Sequence, residues 1–316
     1  MYSNIPRDAE YIARLLDFIR REYPIEPMGI SPAKRGFFGE TWRVDTAERR
    51  YFVKLDYSVT HQGIYERSFP IVEHLNAHGI DFINKIVPTA HGALSARYDG
   101  AVLGVFDWID GENIENDATK QPEYRMLAKI YAVLTDNLAI PREDFGGKIA
   151  DKFFAQWERL RRNPGAEAAR ICALFEQRRE TLTHLAERLK YFAKRCAEDD
   201  AHFYLTHGDA GGNLIANGDR YAIVDWDDPI LAPPERDGWV MECFHWAQAV
   251  FQAELAKNGI HYTLRPERLA YYCYHFCIFY LTEFLEEFER TGTAEVNEEF
   301  FDGWIAERMR YADGIE

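Results

Sequence analysis

The sequence predicts an α+β fold of two lobes: a small antiparallel sheet with one inserted helix, then a larger, mainly helical part. Three features predict it. Short β-branched and aromatic runs separated by turn residues fill the first third of the chain. Long amphipathic stretches take over after Gly111. Charge also divides unevenly: residues 1–104 hold 13 basic and 13 acidic side chains, and residues 105–316 hold 24 basic and 39 acidic ones.

Each element follows from its pattern. Thr41 to Val44 and Arg50 to Leu55 read as two strands joined by a polar turn around Asp45 to Glu48. Phe69, Val72 and Leu75 recur at helical spacing, and Gly79 ends that helix. Ala90 to Ala96 and Val102 to Phe106 read as a second strand pair, turned at Asp99-Gly100. Tyr124 to Leu138, Lys152 to Arg162 and Ala166 to Lys194 read as helices. Leu205 to Val224, rich in Gly, Asn and Asp, interrupts them before helices resume. The last third is aromatic, with Trp239, Phe244, Trp246, Phe251, Tyr271 and Tyr272 among its rings, as packed helices require.

Composition narrows the function. With 37 Lys and Arg against 52 Asp and Glu, the 316-residue chain carries a formal charge of −15. That balance argues against a nucleic-acid or anionic-membrane partner, both of which need a basic footprint. An acidic second lobe suits a cationic substrate, and it equally suits plain surface solubility. No apolar run approaches membrane-spanning length, and Met1 to Pro6 shows no signal peptide, so a cytoplasmic protein is expected. Five cysteines do not read as a disulfide framework. Cys273, His275 and Cys277 share a stretch of helix but lack further zinc ligands at useful spacing, so packing is the reading there.

Two segments carry chemistry: Leu205-Thr206-His207-Gly208-Asp209-Ala210-Gly211-Gly212-Asn213-Leu214, and Ala222-Ile223-Val224-Asp225-Trp226-Asp227-Asp228. Phosphoryl transfer needs a carboxylate that orients the attacking hydroxyl and accepts its proton. It also needs an oxygen ligand a few residues on and a second carboxylate to complete Mg²⁺ coordination. Asp209, Asn213 and Asp225 fill those roles in that order. Upstream, Lys54 stands alone in the apolar strand Tyr51-Phe52-Val53-Lys54-Leu55 and wants an anionic partner. Glu66 on the following helix, with Glu73 as second choice, is expected to pair with it and aim its ammonium at a phosphate. The loop Lys34-Arg35-Gly36-Phe37-Phe38-Gly39 offers backbone N–H groups, with Gly36 and Gly39 in the phosphate cover. Asp227 and Asp228, with Glu242 and His275, are candidates for the substrate side. Glu235 and His245 read as a solvated helix-end charge and a core or pocket-wall residue.

His207-Gly208-Asp209…Asn213 followed by Ile223-Val224-Asp225-Trp226 resembles the signature of the aminoglycoside phosphotransferase and choline kinase superfamily. The resemblance runs from about Gly29 to Phe284. It implies a protein-kinase-like two-lobed fold and a nucleotide-dependent kinase acting on a small-molecule hydroxyl, with Mg²⁺ and ATP (or GTP). By motif position, Asp209 resembles the catalytic base, Asn213 and Asp225 the metal ligands, and Lys54 with Glu66 the phosphate anchor. Val105, Phe106, Asp107 and Trp108, within a hinge at 105–110, resemble the segment that holds adenine by backbone bonds, which leaves 111–316 as the catalytic and substrate lobe. His207 and Asp237 take structural roles, the one holding its loop and the other bracing it. Asp225-Trp226-Asp227-Asp228-Pro229 through Asp237, and Tyr51 to Leu55, are similar to spectinomycin phosphotransferase-like members, whose substrate is a cationic aminocyclitol.

Two departures stand out: three residues, where many members have four, separate Asp209 from Asn213, and Tyr271 to Thr282 is almost wholly aromatic and aliphatic. The acceptor is therefore read as an aminocyclitol or aminoglycoside antibiotic, or as an amino alcohol, homoserine or a sugar. A nucleotide-binding pseudokinase uses the same motifs without turnover. A metallohydrolase built on His207, Asp209 and Asp225 leaves Lys54 and Glu66 idle.

Overall fold

Five strands form one antiparallel sheet at the N-terminal end of the chain. The computed structural model describes residues 7–33, 39–57, 59–163, 165–198, 202–239 and 245–316. In chain order the elements begin with α1 (Ala9–Glu22), β1 (Gly29–Pro32), β2 (Glu40–Asp45), β3 (Arg50–Asp56), α2 (Val59–Ala77), β4 (Ala96–Tyr98) and β5 (Ala101–Asp107). They continue with β6 (Glu112–Asn113), α3 (Asp117–Tyr131), α4 (Lys148–Leu160), α5 (Ala166–Gln177), α6 (Arg179–Ala197) and β7 (Tyr204–Thr206). The rest are β8 (Leu214–Asn217), β9 (Arg220–Ile223), β10 (Ile230–Ala232), α7 (Glu235–Gly238), α8 (His245–Lys257), α9 (Pro266–Thr291) and α10 (Ala306–Ala312).

The chain divides into two compact units. One runs to Pro141 and takes in His207–Ile230; the other joins Arg142–Thr206 to Leu231–Glu316. In the first unit the sheet order is β1-β2-β3-β5-β4, with antiparallel neighbours throughout. Strand alternation places Val53, Leu55, Leu103 and Val105 in one core with Trp42 and Val44. Helix α1 closes that core. The Asp8 carboxylate accepts the Tyr11 N–H to cap it, and Tyr11, Leu15, Phe18 and Ile19 form its buried stripe. Beyond the sheet, β6, β8 and β9 make a three-stranded ribbon that brings 207–230 into this unit.

The second unit is helical apart from β7 and β10. Its core joins Phe153, Trp157 and Phe175 to Leu185, Leu189 and Phe192, and to α9 through Tyr271, Tyr272, Tyr274 and Phe276. The aromatic stretch noted in the sequence is thus largely the buried face of a 26-residue helix. Cys273 and Cys277 are buried free thiols within it. Among the described residues, no group of three or more His, Cys, Asp or Glu stands ready for a metal, and no helix is long and apolar enough to cross a membrane.

The α+β class matches the expectation, and several element boundaries move. Residues 90–95 are not strand: the Thr89 hydroxyl accepts the N–H groups of His91 and Ala93, Gly92 takes φ 80°, and pairing starts only at Ala96. Helix α3 starts earlier than Tyr124, because Asn116 and Thr119 form a capping box, and it ends at Tyr131. Residues 166–194 form two helices, broken at Arg178.

Candidate active site

Strand β3 delivers Lys54 to the sheet face opposite the Val53–Leu55 core. Its register partners are Thr41 on β2 and Gly104 on β5. Gly104 is required for space: a methyl group there would lie 2.6 Å from the Phe69 ring. That ring packs edge-on against Phe106 at 5.3 Å. Lys54 is only 6% exposed. Its ammonium bonds Asp225 Oδ1 at 2.5 Å and also Asp227 Oδ2, 5.2 Å from the centre of the Tyr65 ring. Burial works against the charge, but Asp225 and Asp227 outweigh it and hold the lysine well above its usual pKa. Burial likewise works on Asp225, but Lys54 outweighs it and holds this carboxyl below its usual value; burial and the Asp225 charge push Asp227 up to about 7. One lysine therefore serves two carboxylates, only one of which holds its charge firmly.

Both carboxylates come from the turn after β9. Asp225 adopts φ 65°, a left-handed conformation that few residues other than glycine accept. The turn is pinned from behind. His207 Nε2 donates to the Val224 carbonyl at 2.9 Å, His207 Nδ1 accepts the Asp209 N–H at 3.2 Å, and Trp226 packs edge-on against the imidazole at 4.7 Å. His207 is thus neutral, with its proton on Nε2, and ties the Asp209 loop to the Asp225 loop.

Asn213 closes the Asp209 loop. Its Nδ2 donates to the Asp209 carbonyl at 2.9 Å and to Asp209 Oδ2 at 3.2 Å, which leaves Asn213 Oδ1 as the amide's acceptor. Burial comes first, and the charges of Glu115 and Asp225 second, in pushing the Asp209 carboxyl up to about 7, against the Asn213 donor and Lys120. The residue as a whole stays exposed, so solvent moderates both effects without changing their direction.

A cavity of about 300 Å³ within the first unit is lined by four of these side chains. Lys54, Asn213, Asp225 and Asp227 line one part of it, and Phe52, Phe69, Phe106 and Trp108 another. Asp107 also lines it, whereas Val105 is buried in the core behind. Of the sequence-predicted residues, Lys54, Phe106, Asp107, Trp108, Asn213, Asp225 and Asp227 line this cavity, Asp209 is hydrogen-bonded to Asn213 beside it, and the expected partner of Lys54 is different. Glu66 does not meet Lys54: it is 54% exposed and pairs with Arg97. Lys54 finds its anions on the turn after β9, a separation along the chain that helix spacing does not reveal.

In the 105–110 segment, two backbone donors are already used. The N–H groups of Asp107 and Trp108 donate to the carbonyls of Lys85 and Arg50. Ile109, inside the expected 105–110 segment though not named singly in it, lines the cavity beside them. Gly39 takes φ 82°, and a methyl group on it would strike the Leu55 carbonyl. Gly36 and Glu242 lie outside the described residues. Asp228 is exposed beyond Asp227. Asp237, buried on α7, and His275, on α9, belong to the second unit. Burial and then Arg236 push His275 down to about 4, so its ring is neutral.

Residues 29–274 match the phosphotransferase enzyme family. No curated protein sequence matches the chain. Among solved structures, a spectinomycin phosphotransferase in complex with ADP and spectinomycin superposes with a TM-score of 0.74. It is 17% identical over 98% of this chain and 95% of that one. A choline kinase from Streptococcus pneumoniae gives 0.61 at 14% identity, over 97% and 100% of the two chains. A microcompartment-associated aminopropanol kinase gives 0.59 at 13%, over 96% and 94%. At these identities the likeness is one of fold.

Proposed function

The chain belongs to the phosphotransferase enzyme family and is a small-molecule kinase acting on a hydroxyl group, and we propose that it moves the γ-phosphoryl group of ATP (or GTP), with Mg²⁺, to a cationic acceptor. The observation that carries this reading is the buried Lys54 facing Asp225 and Asp227 in one cavity with Asn213. A buried cation next to hard oxygen donors, with aromatic walls beyond, fits a nucleotide's phosphates and base together.

The donor set fits Mg²⁺. Asp225 supplies a carboxylate, and Asn213 supplies a carbonyl oxygen whose amide is already held by Asp209. Bound there, the ion would neutralise charge on the β- and γ-phosphates. Lys54 meets the donor's phosphates, and Phe52, Phe106 and Trp108 enclose the base. Within the 105–110 hinge we assign the base's N–H donor to Ile109, because the Asp107 and Trp108 N–H groups are already engaged. Asp209 orients the acceptor hydroxyl and takes its proton as the new O–P bond forms and the bond to the nucleoside diphosphate breaks. Its raised pKa suits a base working near neutrality.

The acceptor class follows from charge. The second part of the chain holds the acidic excess, which favours an amine-bearing alcohol. Aminocyclitols and amino alcohols both qualify, and the resemblance to spectinomycin phosphotransferase and to choline and aminopropanol kinases supports testing them first. Placement in the cytoplasm, where ATP is supplied, belongs to the same reading. A coupled assay of nucleoside diphosphate release, with spectinomycin, aminoglycosides, choline, ethanolamine, aminopropanol, homoserine and sugars, tests it. Acceptor-dependent release with an amine-bearing alcohol is expected. Mg-ATP binding without release for any acceptor would instead favour the pseudokinase.

A further inference from the structure

The catalytic loop rests on a buried ion pair that the reaction described so far does not use. Lys120, on the first turn of α3, is 0% exposed. Its ammonium bonds Glu115 Oε1 at 2.8 Å and Glu123 Oε2 at 3.1 Å, and Glu123 is as buried as the lysine. Burial works against the charge, and Glu123 and Glu115 outweigh it, so the lysine stays protonated. A lysine sealed in this way on the first turn of a helix is costly unless its location matters.

Its location is the underside of the Asp209 loop. A methyl group on Gly211 would lie 2.6 Å from Glu115 Oε1 and 2.7 Å from Lys120 Nζ. One on Gly212 would lie 2.9 Å from Asp209 Oδ1. Neither glycine takes a positive φ, so neither is needed for backbone conformation. They are needed for clearance, one toward the ion pair below and one toward the reactive carboxylate. The same segment grips the loop a second time: Asn113 Nδ2 donates to the Gly212 carbonyl at 2.9 Å and to that of Leu214 at 3.1 Å. Between Asp209 and Asn213 stand only Ala210, Gly211 and Gly212; the loop's own bonds are a single 3-10 turn, with the Asn213 N–H donating to the Ala210 carbonyl at 3.2 Å, and the Asn213 side chain closing back onto Asp209.

We propose that Lys120 is a positioning residue for phosphoryl transfer: clamped between Glu115 and Glu123, it forms the platform on which Gly211 sits, and so fixes Asp209. The proposal rests on the kinase reading above. It assigns Lys120 no contact with substrate; its effect passes through the loop. Misplacing a reactive group by about 1 Å can cost on the order of 100-fold in rate. Loss of the platform should therefore appear in kcat and leave the KM for nucleotide nearly unchanged.

The experiment compares wild type, Lys120→Met, Lys120→Arg, Gly211→Ala and the double variant Lys120→Met/Glu123→Gln. The double variant also neutralises the buried Glu123 carboxylate that Lys120 pairs with, so it keeps the test meaningful if the single variant fails to fold. Two readouts are taken on the full chain: hydrogen exchange of the 205–214 segment, and kcat and KM with the acceptor that wild type uses. The expected result is at least about tenfold faster exchange in that segment and a kcat loss of about tenfold or more in the double variant and in Gly211→Ala. Nucleotide KM should stay within about twofold, and Lys120→Arg should recover part of the rate. Unchanged exchange in a folded double variant overturns the platform, whatever the kinetics. Faster exchange with wild-type kcat, or a loss confined to KM, overturns its role in positioning. A wild type that releases no diphosphate with any acceptor, despite a protected loop, overturns the kinase reading and with it this role.

Discussion

Replacing Lys54 by Met keeps most of the side chain's volume and removes only its charge. Asp225 and Asp227 then face each other with no cation between them. Stripping one partner from a fully buried ion pair costs about 3–5 kcal/mol. Here the lysine side chain is 7% exposed and the carboxylates 42% and 33%. Water thus takes up part of the uncompensated charge, and the expected loss is about 2 kcal/mol at pH 8. The sign with pH follows from the two shifts. Asp225, held down by Lys54, contributes stability present above its unfolded pKa and lost as pH falls; Lys54→Met removes that contribution. Asp227, pushed up to about 7, carries the opposite sign, and its ionised form weighs on the fold as pH rises through 7. The variant's loss should therefore be largest at pH 8 and shrink toward pH 5, as the paired carboxyls take up protons. Urea unfolding followed by tryptophan fluorescence measures this, with the buried Trp226 between the two carboxylates as a local reporter. Adding Asp227→Asn should return at least half of the loss at pH 8, a coupling that a double-mutant cycle reads directly. A Lys54→Met protein as stable as wild type, or a loss independent of pH and untouched by Asp227→Asn, would refute the reasoning.

Three further outcomes are expected. Glu66→Ala should leave nucleotide affinity within about twofold and stability within about 0.5 kcal/mol, because Glu66 pairs with Arg97 at the surface; a tenfold affinity loss in calorimetry would restore it to Lys54. Gly104→Val should force the Phe69 ring from its place, destabilise by about 1–3 kcal/mol and weaken Mg-ATP binding, as titration and thermal melts would report. His275, held neutral with its pKa down to about 4, should make wild type lose stability as pH falls from 6.5 toward 4. That loss is about 2 kcal/mol after allowing for its partial exposure, and it should be absent in His275→Gln.

Features whose signal is local are legible in the sequence. Val53, Lys54 and Leu55 alternate as a strand does, and the spacings within 207–213 and 223–228 are short, so most parts of the site can be named from sequence alone. Local pattern fails as a guide to distance. Glu66 lies on the right helix with the right charge, yet its partner is settled by which face α2 turns to the sheet. The turn after β9 brings two carboxylates to Lys54 from far along the chain. Nothing at 177–179 marks a break, since Gln, Arg and Arg all favour helix, and the pattern therefore runs α5 and α6 together. Helix α1 is legible in principle, with Asp8 as cap and Tyr11, Leu15, Phe18 and Ile19 at helical spacing. Lys120 carries no signal: on the first turn of a polar helix it looks like any solvated lysine, and only tertiary packing seals it under Gly211.

The central claim is that Asp209 handles the acceptor while Lys54, Asn213 and Asp225 handle the nucleotide. One measurement separates these duties: acceptor-dependent release of nucleoside diphosphate and Mg-ATP affinity, determined side by side for wild type and Asp209→Asn. Release should fall by at least about 1,000-fold, with affinity within about threefold of wild type. Release retained in Asp209→Asn, or lost only in step with nucleotide binding, would contradict the account.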